Sequence, residues 1–328
     1  MFILAIETTG PFGSTALLDE EGNVLGFEVS HGTMSHLKDL IPMIDTMLKK
    51  CGVSKDQIDL IAPSVGPGSF TGIRIGVSTA RALCQALGIK AVPVPTLEAF
   101  CFKEAAADAV LDVREAAADA SSGGQAAGMQ ADSGRTAVCA IINARRGQVY
   151  GMIDGFMEPG PYMLTDVIEA YKSKMEPDGW KLLFFGDGVD AYEKDIIEAL
   201  GEPGQPGQPG PGPSARFEFV PESDRYQDAV SVGRWAAKRI RECGAAGAVN
   251  AGVETDVPAG DAGDSLDAGA AGAAAAVAAL DAEDGGAEEV TGCAVDYEQL
   301  LPDYMRRAEA EQKLESGELP ICRGPKQE

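Results

Sequence analysis

The segment Ser64-Val65-Gly66-Pro67-Gly68-Ser69-Phe70-Thr71-Gly72-Ile73-Arg74-Ile75-Gly76 constrains the fold more than any other part of this chain. It follows a short apolar run, Leu60-Ile61-Ala62, and opens a stretch from Gly72 to Leu87 that is apolar or small on more than one face. A second apolar run, Ala91-Val92-Pro93-Val94, comes next. A strand, a crossover helix and a strand predict an α/β layer. The glycines allow two uses of the loop. A Gly-rich loop feeding a helix N-terminus offers free N–H groups and the positive end of the helix dipole, which together hold an anion such as phosphate. It is equally a tight turn whose Ser69 or Thr71 caps the helix. No Lys follows the final glycine, as a Walker loop requires, and the spacing is not G-x-G-x-x-G, so capping carries the greater weight.

The chain opens as an antiparallel meander: Phe2 to Ile6, Ser14 to Leu18 and Val24 to Val29 are strands separated by the turns Thr9–Gly13 and Asp19–Asn23. Glu7 ends the first strand, where an acid can meet magnesium and phosphate, although a strand-end Glu is more often a turn partner. His36 to Lys50 places Leu37, Leu40, Ile41, Ile44, Met47 and Leu48 at helical spacing, with Pro42 predicting a kink or a start near Lys38 or Asp39. Further on, Ala137–Asn143 and Gln148–Asp154 read as a hairpin, Leu164–Lys174 as a helix, Leu182–Phe185 as a strand ending at Gly186-Asp187-Gly188, and Ala229–Arg241 as a helix. Two α/β halves result.

Three stretches lack the apolar content to offset chain entropy. Residues 104–135 are rich in Ala, Asp, Gly and Ser, although 105–120 has the alanine content of a helix; 202–214 reads EPGQPGQPGPGPS, a semi-extended linker; and 243–292 holds ten acids and no Lys or Arg. The first and third carry −4 and −10 of the formal charge of −24. Disorder is predicted for these inserts. The domain division is therefore 1–103, an insert 104–135, 136–242 with its linker 202–214, the acidic insert 243–292, and a C-terminal segment 293–328.

Charge and composition exclude several functions. No Lys/Arg run exceeds the pair Arg145-Arg146, so a nucleic-acid surface is not expected, and any RNA is met through a partner. No apolar run is long enough to cross a bilayer, and Met1 to Thr9 lacks a basic region before its short apolar core, which predicts no membrane contact and a cytoplasmic location. Seven scattered cysteines without a C-x-x-C pair suit reduced thiols and no structural metal. The two histidines, His31 and His36, are five apart and do not share a helix face, so a two-His metal site is not expected. Without a nucleophile constellation, no catalytic residue is assigned.

These motifs occur in a known order. Ile3-Leu4-Ala5-Ile6-Glu7-Thr8-Thr9, the helix with His36 and Leu40-Ile41-Pro42, GPGSFTGIRIG from Gly66 to Gly76, Ala144-Arg145-x-Gly147-x-Val149-Tyr150, Gly186-Asp187-Gly188 and Pro302-Asp303-Tyr304-Met305-Arg306 together resemble the bacterial tRNA threonylcarbamoyladenosine biosynthesis family TsaB, older name YeaZ. The resemblance implies an actin-like ATPase fold (ASKHA, ribonuclease H-like) of two similar subdomains. It implies a noncatalytic paralogue that supports the catalytic TsaD subunit together with the ATPase TsaE, in transfer of a threonylcarbamoyl group to a tRNA adenosine beside the anticodon. It implies no cofactor, with weak ATP and magnesium binding as the alternative, an ATP-using enzyme of the same fold. Catalytic members of the wider family carry an H-x-x-x-H metal pair, absent from this sequence.

Two residue sets follow. Glu7, Gly66, Gly68, Ser69, Thr71 and Gly72 are the candidate nucleotide-binding residues. His36, Leu37, Leu40, Ile41 and Ile44 on the first helix, with Gly76, Thr79, Ala80 and Leu83 on the second, are the expected surface for a TsaD-like subunit, or for self-association in its absence, because the two helices offer more apolar surface than a small subdomain covers. Asn143 and Gln148 stand where relatives carry acids, and Met305 replaces a usual Leu.

Overall fold

In the computed structural model, residues 1–30, 32, 36–121, 135–204, 216–250 and 293–305 are described, with backbone alone at 36–37, 118–121 and 245–250. The expected linker 202–214 lies outside these residues except for 202–204, as does the acidic insert from 251 on and the C-terminal segment after 305. The first sheet is the expected meander, β1 (Phe2–Glu7), β2 (Ser14–Asp19) and β3 (Val24–Val29), continued after helix α1 (His36–Cys51) by β4 (Leu60–Gly66), helix α2 (Phe70–Leu87), β5 (Lys90–Ala91) and β6 (Val94–Pro95). Its order is β3-β2-β1-β4-β5, with β6 also on β4; the meander pairs are antiparallel and β4 and β5 are parallel.

Helices α3 (Thr96–Ala99) and α4 (Ala107–Ser121) lead to the second sheet. There β7 (Thr136–Asn143), β8 (Gln148–Ile153), β9 (Met157–Met163), helix α5 (Leu164–Lys174), β10 (Lys181–Phe185), helix α6 (Gly188–Leu200) and β11 (Phe217–Phe219) follow, in the order β11-β10-β7-β8-β9. Element for element this repeats the first sheet: β7 pairs antiparallel with β8 and parallel with β10, as β1 pairs with β2 and β4. The doubled ribonuclease H-like unit is the actin-like arrangement. The chain then turns through α7 (Glu222–Arg225) and sends α8 (Ala229–Asn250) back across the first sheet.

Strand alternation sorts the core into layers, since successive side chains point to opposite faces. Leu4, Ile6 and Leu17 face α1 and α2, whereas Ile3, Ala5, Ala16 and Leu18 face Val232 and Ala236 of α8. In the second sheet Cys139 and Ile141 meet the α5 and α6 side, and Val138, Ala140 and Ile142 meet Ala106 and Ala109.

Three expectations change. Residues 104–121 are packed structure rather than insert: Ala106 and Ala109 are buried because their small side chains let α4 lie close on β7. Helix α8 runs to Asn250, past Arg241 and into the stretch read as the acidic insert. Helix α1 begins at His36 and passes through Pro42, which lies on its exposed side, so of the two alternatives the later start near Lys38 or Asp39 falls.

Candidate functional site

The glycine loop and the end of β1 form one structure. Strand β4 runs parallel to β1, with Ile6 beside Pro63, which brings the loop after β4 over Glu7, Thr8 and Thr9. Ser69 N–H donates to the Thr9 carbonyl at 2.8 Å, and Ser69 Oγ caps α2 by accepting from Gly72 N–H at 3.3 Å. Thr8 Oγ1 donates to the Gly72 carbonyl at 2.8 Å. A Cβ on Gly72 would stand 1.9 Å from the Thr8 carbonyl oxygen, and one on Gly76 would stand 2.3 Å from Thr8 Oγ1. The small-residue face of α2 is therefore the face that seats on β1. The second half repeats the device, with a Cβ on Gly186 placed 2.0 Å from the Ile141 carbonyl oxygen at the end of β7.

Glu7 lies at the centre, fully buried. Its Oε1 accepts from Thr9 N–H, from Thr9 Oγ1 at 2.6 Å and from Gly10 N–H at 3.2 Å, while Oε2 is buried without a hydrogen-bond partner among the described residues. Burial raises the Glu7 carboxyl above its ordinary range, against the hydrogen bonds from Thr9 and Gly10 that lower it. Beneath it, Ser64 and Thr96 share a hydrogen bond of 2.7 Å between their hydroxyls. Both amide atoms of Gln227, which packs against Gly10, also lack partners among the described residues.

A C-terminal strap closes the loop from outside. Asp303 N–H donates to the Val65 carbonyl at 2.8 Å, and Gly66, at φ +122°, has no room for a Cβ because the Asp303 carbonyl oxygen lies 2.3 Å from where it would be. Arg74 stacks on Phe70 at 3.9 Å and donates through Nε to Tyr304 Oη at 3.0 Å. Sequence order alone marks Pro302 to Tyr304 as a motif without showing what it touches; Arg306 lies outside the described residues.

Glu7, Gly66, Gly68, Ser69, Thr71 and Gly72 thus do come together, but not as an open cradle. The Gly72 amide is spent on Ser69, the Ser69 amide on Thr9, and a Cβ on Gly68 would collide with Thr9 at 2.7 Å; Thr71 alone of the six is exposed. A magnesium–nucleotide phosphate would need those amides free and the Glu7 carboxylate accessible, so these residues as arranged do not fit one. Among the described residues no group of three or more His, Cys, Asp and Glu is placed to hold a metal.

The expected partner surface divides. Leu40 and Ile44 of α1 and Gly76 and Ala80 of α2 are buried in the first subdomain's own core, a correction to their placement on an outer surface, because the small α2 face packs against β1. Ile41 is 52% exposed and Thr79 and Leu83 are half-buried. The side chains of His36 and Leu37 lie outside the described residues. Among those residues no helix is long and apolar enough to cross a membrane.

Comparison with known proteins places the chain among relatives. The family model of the tRNA N6-adenosine threonylcarbamoyltransferase TsaD matches residues 30–113. The tRNA threonylcarbamoyladenosine biosynthesis protein TsaB of Bacillus subtilis is 28% identical over 212 residues, which cover 62% of this chain and 79% of that protein. The protein of the same name from Escherichia coli is 35% identical over 97 residues, 30% of this chain and 41% of that protein. A solved structure, YeaZ from Pseudomonas aeruginosa, is 20% identical, with 92% of this chain and 99% of that one covered and a TM-score of 0.48. With the GPGSFTGIRIG loop seated at the end of the first strand and the sequence matched along most of one TsaB protein, the chain is similar to the TsaB proteins of tRNA threonylcarbamoyladenosine biosynthesis.

Proposed function

We propose that this chain is the noncatalytic accessory subunit of an assembly that forms threonylcarbamoyladenosine in tRNA, supporting a TsaD-type transferase, with a TsaE-type ATPase as a further member and tRNA met only through the complex. The observation that carries this is the filled loop: the Ser69 amide is bonded to the Thr9 carbonyl just past β1 and the Gly72 amide to Ser69 Oγ, so neither is turned to a phosphate. The loop serves to lock α2 in place. With its small face committed inward, α2 turns Ser78 and Ala82 outward beside half-buried Thr79 and Leu83, and neighbouring α1 turns out Ile41 and Pro42. This double-helix surface is the docking site for the transferase, and for a second copy of the chain when the transferase is absent.

Co-expression with a TsaD-type transferase, followed by affinity capture, tests this. Stoichiometric co-purification is expected, and a chain that fails to bind any such transferase overturns the proposal. Magnesium-dependent ATP turnover by the purified chain alone would instead support the ATP-using enzyme of the actin-like fold.

A further inference from the structure

Cys243 lies on α8 and Cys293 opens the C-terminal segment, so residues 244–292 separate them along the chain, yet Cys293 comes back to the helix beside Cys243. Cys293 Sγ donates to the backbone carbonyl of Arg239 at 3.7 Å. In an α-helix that carbonyl points at the amide four residues on, which here is Cys243, so the Cys293 sulfur is seated on the turn that carries Cys243. Each cysteine is anchored independently. Helix α8 packs along β1 and β2, while Val295 exchanges backbone hydrogen bonds of 2.7 and 2.9 Å with Ala91 at the far side of the same sheet. Both cysteines are free thiols and partly exposed.

We infer that Cys243 and Cys293 form a thiol–disulfide exchange site, which a low-molecular-weight disulfide converts into an intrachain disulfide. The Cys243 thiolate attacks one sulfur of the small disulfide RSSR, giving Cys243–S–S–R and one RS⁻. The Cys293 thiolate then attacks the Cys243 sulfur, forming the protein disulfide and expelling the second RS⁻. The protein loses two S–H hydrogens and two electrons; RSSR gains both and leaves as two RSH. Burial, with Cys243 alongside, pushes the Cys293 thiol up to about 12. Burial likewise raises the thiols of Cys84, Cys101 and Cys139 and keeps them protonated. The bond ties the strap that covers the glycine loop to the helix that covers the opposite face of the first sheet.

The test uses the full chain, reduced and then exposed to oxidised glutathione without denaturant, alkylated and digested with trypsin. No Lys or Arg lies between Arg241 and Arg306, so both cysteines fall in one peptide, Glu242–Arg306. That peptide is expected unalkylated and lighter by two hydrogens, restored by dithiothreitol, and cut at acidic residues into two pieces joined through Cys243 and Cys293. The same oxidation in urea should scatter pairing over the other cysteines, and Cys293→Ser should stop the reaction at a glutathione adduct on Cys243. Separate adducts on the two native thiols, or a 243–293 link no more frequent natively than in urea, overturns the inference.

Discussion

Gly72→Ala is the sharpest probe of the loop. In an unconstrained helix this change stabilises, by up to about 1 kcal/mol, because Ala loses less backbone freedom than Gly. Here the added methyl would stand 1.9 Å from the Thr8 carbonyl oxygen, a backbone atom that cannot swing aside as a flexible side chain does. Relief requires α2 to lift from β1 by more than an ångström. Overpacking of this kind costs about 1–3 kcal/mol, and the lift also weakens the Thr8 Oγ1 bond to the Gly72 carbonyl, worth about 1 kcal/mol. After the propensity gain is subtracted, a net loss of about 2 kcal/mol is expected. Gly244→Ala on α8 is the control, since nothing lies within 4 Å of its Cβ position, and it should gain about 0.5–1 kcal/mol. Urea unfolding reads both as shifts in midpoint at constant slope. If Gly72→Ala matched the parent or exceeded it, α2 would not be seated through its small face, and that face would be free for a partner after all.

Other outcomes follow from the same geometry. Glu7 is raised by burial, so its proton is held more tightly folded than unfolded, and its contribution to stability grows as pH falls from neutral toward 4.5; the melting temperature of the parent minus that of Glu7→Gln should rise on acidification, and a flat or falling difference would contradict the buried placement. Leu40→Glu places a charge in the core, where Leu40 is 1% exposed, and should unfold the chain, whereas Ile41→Glu, at an exposed site, should melt within about 0.5 kcal/mol of the parent yet lose capture by the transferase. With a formal charge of −24, the isolated chain should bind tRNA no tighter than about 10⁻⁴ to 10⁻⁶ M in a filter or fluorescence assay at physiological salt; submicromolar binding would be a failure.

Much of the architecture is legible in the sequence where side-chain periodicity is strong. The opening meander, the crossover helix after the glycine loop and α5, which spans Leu164–Lys174 as read, all carry their apolar pattern openly. Helix α4 does not, because its fully buried side chain among the described residues is Ala109 and its larger apolar residues packed on the core, Val110 and Val113, are few among alanines and acids, so composition takes it for an insert. Strand β9 hides behind Pro159, Gly160 and Pro161, which an edge strand tolerates, and β11 is only three residues long. The loop motif reads as a turn capped by Ser69 or Thr71, or as an anion cradle, and it is Ser69 that caps α2. The sequence does not show where its glycines point, since a small face built to touch Thr8 looks the same as one built to touch another protein. Only the position of β1 beneath it separates the two.

Reconstitution of threonylcarbamoyl transfer tests the accessory role most directly. A TsaD-type transferase and a TsaE-type ATPase, supplied with threonylcarbamoyl adenylate and tRNA, should form modified adenosine when this chain is added, lose most of that activity when it is omitted or replaced by Ile41→Glu, and be unaffected by Glu7→Gln. Full transfer without the chain, or activity that Glu7→Gln abolishes while the complex stays intact, would contradict a noncatalytic support.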